Sequence, residues 1–126
     1  MKASNNGCQC GAAPKLIFPC SGAADVGEIA DRAARKLTRE GAGSMYCLAG
    51  IGGGVSGIVA TTEAASKILV IDGCSQDCGK KTLEHRGLEM FEHLRVTDMG
   101  MEKGESPATE ECVATVAARG AEKLAT

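Results

Sequence analysis

Cysteine is the residue type in this chain with the most chemistry to offer, and there are seven in 126 residues. Cys74 and Cys78 close the stretch KILVIDGCSQDC at 67–78. Ile68, Leu69, Val70 and Ile71 form a β-branched apolar run that stops at Asp72-Gly73, the pattern of a strand buried on both faces. Cys74 follows that strand end directly. With Ser75 as a cap, Cys78 falls at the third position of the next helix, where free N–H groups and the positive end of the dipole favour a thiolate. Cys20 stands in the same relation to the apolar run at 15–18, and Cys47 lies near the end of a further run at 44–49.

Four soft donors at strand ends suit zinc. A tetrahedral zinc site holds each sulfur at about 2.3 Å, which sets neighbouring sulfurs roughly 3.8 Å apart. Cys74 and Cys78 can reach that spacing, one on the turn and one in the helix. The net negative charge of four zinc-bound thiolates would be partly offset by the helix N-termini after Cys20 and Cys74 and by the N–H groups of Gly22 and Gly73. The spacing is not that of a zinc ribbon, because no pair of C-x-x-C knuckles is present.

Other readings use the same sulfurs. Free cysteine is a common small core residue, which fits Cys112 beside Val113 well and Cys47 passably. It fits Cys74 and Cys78 poorly, since glycine-flanked strand tips face solvent. A low-pKa nucleophile at Cys20 or Cys78, resolved by Cys74, would give sulfur transfer or disulfide exchange. An iron–sulfur cluster would take the same four thiols. Val26 stands where a Cys-x₅-Arg phosphatase loop starting at Cys20 needs its arginine, which disfavours that route.

These cysteines need a scaffold, and the chain alternates strands with helices. Strands are predicted at 15–18, 44–49, 68–71 and 91–97. Helices are predicted at 23–40, where Val26, Ile29, Ala30, Ala33 and Leu37 share a face, at 76–86, and from Ser106-Pro107 onward, burying Val113, Val116, Ala117 and Leu124. A short helix capped by Thr61 or Thr62 ends near 66. The product is an α/β fold: an open, mostly parallel four-stranded sheet in the order 2-1-3-4, with helices on both faces. Ligands of such sheets bind at the carboxyl ends of strands where the order reverses, between the first and third. The division is a flexible tail at 1–14 carrying Cys8 and Cys10 as possible auxiliary thiols, then a single domain at 15–126.

Smaller features surround the sulfurs. Gly52, Gly53 and Gly54 form a loop whose N–H groups could bond metal-bound sulfur or a small anion. Gly52-x-Gly54-x-x-Gly57, with Asp72 at the next strand end, also matches a dinucleotide fingerprint in its letters, although a plain ligand-accommodating loop explains it as well. Asp72 and Gly73 shape the turn, Asp72 bonding its backbone or acting beside the sulfurs. Asp25 faces the crevice or favours the helix start. His85 reads as a helix-surface residue and His93 as a strand-edge one.

Composition narrows the partners. Net charge is −2 with acids and bases interspersed, so nothing draws the chain to nucleic acid or an anionic membrane. Phe18, Tyr46 and Phe91 are the whole aromatic complement, too few for stacking platforms. No segment approaches the ~20 apolar residues of a bilayer span. MKASNNGCQCG lacks the apolar core of a signal peptide. A cytoplasmic location follows, where thiols stay reduced and serve metal or thiol chemistry. A small ligand or a protein is the expected partner.

Cys20-Ser21-Gly22-Ala23-Ala24-Asp25, Cys47 with its glycine run, and Asp72-Gly73-Cys74 with Cys78 together resemble the DGC domain family, named for its central Asp-Gly-Cys. The resemblance runs from about Lys15 to the C-terminus. It implies four zinc-chelating cysteines, which map onto Cys20, Cys47, Cys74 and Cys78. It implies no reaction, and it leaves Cys8 and Cys10 unassigned.

Overall fold

The apolar run at the heart of the sequence becomes strand β3 (Lys67–Asp72), buried from Ile68 onward. In the computed structural model, which describes residues 13–126, it lies between β1 (Lys15–Pro19) and β4 (Glu92–Arg95), and β1 pairs on its other side with β2 (Ser44–Met45). All pairings are parallel, in the order β2-β1-β3-β4. Cys8 and Cys10 lie outside the described residues. Pro14 is within them, and its carbonyl accepts the N–H of Ser66 at 2.8 Å.

Strand side chains alternate between faces, so each apolar run feeds two cores. Ile17, Leu69, Ile71 and Leu94 face α1 (Asp25–Arg39) and a long C-terminal helix, Glu110–Ala125. Leu16, Phe18, Ile68 and Val70 face the other way, onto Ile51 and Leu83. That second layer is built from three short helices: α2 (Leu48–Gly52), α3 (Ser56–Glu63) and α4 (Cys78–His85). The C-terminal helix is α5. Among the described residues no helix is long and apolar enough to cross a membrane.

Several element boundaries differ from expectation. The second strand stops at Met45, because the chain turns at Cys47 to start α2. The glycine run is divided: Gly52 ends α2 and Gly57 lies at the start of α3, with Ile51, Ile58 and Val59 packed on the second core, while Gly53 and Gly54 form the expected turn between the two helices. Thr62 sits inside α3 and its Oγ1 donates to Ile58 O, so it caps nothing. The fourth strand ends at Arg95, and Val96–Met99 form a 3-10 turn. The last helix begins at Glu110, not at Ser106-Pro107, because Thr109 is its cap and accepts from Cys112 N at 3.1 Å.

Candidate functional site

β1 and β3 run in register, with Pro19 opposite Ile71, and Cys20 N still donates to Ile71 O at 2.9 Å. Cys20 therefore leaves the sheet level with Asp72. Its Sγ accepts the N–H of Gly73 at 3.4 Å, so the tip of the first strand is joined to the Asp-Gly-Cys turn of the third. Glycine at position 73 is a steric requirement. A Cβ there would stand 2.9 Å from Gly27 N and from Val26 C in α1, backbone atoms with nowhere to go.

Asp72 turns inward, at 1 % exposure. Oδ1 accepts from Gly79 N at 2.7 Å and Oδ2 from Lys80 N at 3.0 Å. The aspartate of the motif thus caps α4 from outside it. Asp77, the residue before that helix, holds a left-handed φ of 56° and leaves its own side chain free for Arg95. Cys78 is consequently the first residue of α4, not the third, and Ser75 is no cap.

His93 and Arg95 stand two apart on β4 and share its α4-facing side. His93 Nε2 donates to Asp72 Oδ2 at 2.8 Å, while Arg95 grips Asp77 through Nε at 2.9 Å and Nη2 at 2.7 Å. That paired contact holds the Asp77 carboxyl below the usual carboxylate range and raises the Arg95 pKa. Asp72, Asp77 and His93 place potential metal-binding atoms within 4.8 Å of one another, and among the described residues they are the group of three or more that does so. Their oxygens, however, already receive Gly79, Lys80, His93 and Arg95. We read the group as a clamp that fixes the cysteine-bearing turn to β4. His93 is on an edge strand, as expected, but its role in this clamp was not foreseen.

The sulfurs lie beyond the carboxyl ends of β1, β2 and β3. Cys20 is half-buried and Cys47 exposed, and both line an open cleft of about 510 Å³. Burial is the main cause that pushes the Cys20 thiol above its ordinary value, partly offset by the N–H groups of Gly22 and Gly73 and reinforced by the charges of Asp72 and Cys78. In this state Cys20 is the reverse of an activated nucleophile. Cys74 is half-buried, with Lys103 Nζ 3.8 Å from its Sγ, and Cys78 is exposed. No three of these sulfurs lie within 4.8 Å of one another among the described residues. Cys112 packs against the α1–α5 core.

The loop bearing Lys103 is held by Asp25. Its Oδ1 accepts from Gly104 N at 2.9 Å and its Oδ2 from Ser106 N at 3.1 Å. Asp25 thus serves both the helix start and the rim of the crevice. Gly52 lines the cleft shared by Cys20 and Cys47, while the carbonyls of Ile51 and Gly52 accept from Arg86 at 2.9 and 2.8 Å. The glycine run lies between two helices rather than at a strand-to-helix turn, and Asp72 is committed to α4. A dinucleotide site does not fit that geometry.

A parallel α/β sheet with cysteines grouped at its carboxyl edge is the class these features define. The chain belongs to the DGC domain family, whose signature matches residues 16–119. It is similar to the anaerobic and virulence modulator AnvM of Pseudomonas aeruginosa, with 33 % identity over 88 residues, covering 70 % of this chain and 67 % of that protein. No solved structure matches it.

Proposed function

We propose that Cys20, Cys47, Cys74 and Cys78 bind zinc at the carboxyl edge of the sheet. The observation that carries this reading is the Gly73 N–H on Cys20 Sγ, a donor aimed at a sulfur as one would be at a metal-bound thiolate. Lys103 beside Cys74 is a second feature suited to a site that gathers negative charge. The donor set is soft and fits zinc. Among the described residues no three of these sulfurs stand within 4.8 Å of one another, so binding would draw the exposed cysteines, Cys47 and Cys78, toward the other two.

Zinc held by four thiolates keeps no open position, so the ion would organise the strand tips rather than activate water. The similarity to a protein named as a modulator favours a regulatory element over a hydrolase. Metal analysis and absorption spectra of protein purified without oxygen test the proposal. About one zinc per chain and no visible absorption support it. A brown, iron-containing protein would replace zinc with an iron–sulfur cluster on the same thiols. Metal-free protein with one fast-alkylating cysteine would replace it with thiol exchange.

A further inference from the structure

The cleft shared by Cys20 and Cys47 also carries a cation, Arg35 of α1. A short relay holds it there. Ser21 Oγ donates to Asp31 Oδ1 at 2.7 Å, and Arg35 Nε donates to Asp31 Oδ2 at 2.8 Å. Ser21 adopts a left-handed φ of 53°, a backbone that L residues rarely hold, immediately after Cys20. Burial works against ionisation of Asp31, but the bonds from Arg35 and Ser21 prevail and hold its carboxyl below the usual range. The relay therefore stays charged at neutral pH and ties the guanidinium to the turn that presents Cys20.

Only one edge of Arg35 is used. Its terminal Nη groups have no partner among the described residues. Like Arg32 with Glu28 and Lys36 with Glu40, Arg35 and Asp31 are an i,i+4 pair on α1, and Arg35 is largely exposed; this pair differs in that its acid is also bonded by Ser21. A guanidinium with a free edge matches a carboxylate in a planar, two-bond fork. The guanidinium charge is already shared with Asp31, so the free edge offers two parallel N–H donors rather than an unpaired charge, which suits a carboxylate better than a phosphate dianion.

We propose that this cleft is a binding site for a small carboxylate-bearing ligand, whose acid group pairs with Arg35 while its other end lies against Cys47 and Cys20. The proposal goes beyond the zinc reading and does not require the metal.

The test compares two alkylating probes, iodoacetate and iodoacetamide, on the reduced, zinc-depleted full chain, with modification of Cys47 followed by peptide mass spectrometry. Any change in the acidity of Cys47 alters both rates alike, so their ratio isolates attraction of the carboxylate. Arg35→Gln should lower the iodoacetate-to-iodoacetamide ratio roughly threefold or more, and Arg35→Lys should retain most of it. Arg119→Gln, which removes an exposed cation on α5, should leave the ratio at Cys47 unchanged. A ratio that does not move in natively folded Arg35→Gln overturns the proposal. If that variant loses its native circular dichroism, salt titration of the wild type decides, because a ratio that falls as salt rises supports the pocket and a flat one overturns it. Zinc content is measured before depletion, so a flat ratio in protein that had carried zinc removes the acid pocket and leaves the metal site standing.

Discussion

His93 Nε2 lies 2.8 Å from Asp72 Oδ2, joining the edge strand to the aspartate that caps α4. The contact matters because Asp72 is almost wholly buried, so its carboxyl oxygens depend on protein donors. Removing a partner from a buried charged group leaves its desolvation uncompensated. His93→Ala should lower unfolding free energy by about 1–3 kcal/mol in urea titrations. His93→Gln keeps a donor and should cost less. A His93→Ala protein within about 0.5 kcal/mol of wild type would show that the clamp carries no stability.

Gly73 has backbone of α1 where a side chain would go. Gly73→Ala should cost about 1–3 kcal/mol through overpacking, with the loss appearing as a lower urea midpoint at unchanged slope. It should also weaken metal retention, since the Gly73 N–H that meets Cys20 must move with the strand tip. Native stability in Gly73→Ala would contradict the close approach.

Asp25 sets an acid-side limit on stability. The N–H of Gly104, followed by those of Ser106 and Val26, holds its carboxyl below the ordinary aspartate value. A group lowered on folding contributes stability above its unfolded pKa, about 4, and loses that contribution as pH falls through the lower folded value. Melting temperature should therefore show no loss from this group between pH 7 and about 5, then decline below about pH 4. Asp31 and Asp77 are lowered as well, so Asp25→Asn should make the acid branch shallower without flattening it. An acid branch identical in wild type and Asp25→Asn would show that the bonds to the Lys103 loop are absent in solution.

The two central strands were legible because their signal is strong, short apolar runs at 16–18 and 68–71 that end abruptly, whereas the edge strands, Ser44–Met45 and Glu92–Arg95, are short and partly polar. Alternation within those runs explains how one sheet supplies two cores. Cys20 and Cys74 were legible as strand-end residues for the same reason, and Cys78 as a residue of the following helix's first turn, although it opens that helix rather than standing third in it. The glycine run was legible in part: Gly53 and Gly54 turn as glycines favour, but Ile51, Ile58 and Val59 gain enough by packing to make short helices of the residues on either side. Ser106-Pro107 misled: Asp25 takes the Ser106 N–H, and the cap moves to Thr109. The His93–Asp72 and Arg95–Asp77 clamp left only a faint trace, a His-x-Arg alternation on a four-residue strand. Its aspartates lie far back in the chain, and only the parallel register brings the pairs together.

The account rests most heavily on four sulfurs from three parts of the chain holding one ion. The direct measurement is zinc per chain, by elemental analysis of protein purified without oxygen, in wild type and in serine variants of Cys20, Cys47, Cys74, Cys78 and Cys112. Zinc near one per chain in wild type and Cys112→Ser, with marked loss in each of the other four, is the expected result. Wild-type protein without zinc, or full zinc in Cys20→Ser or Cys47→Ser, would contradict it.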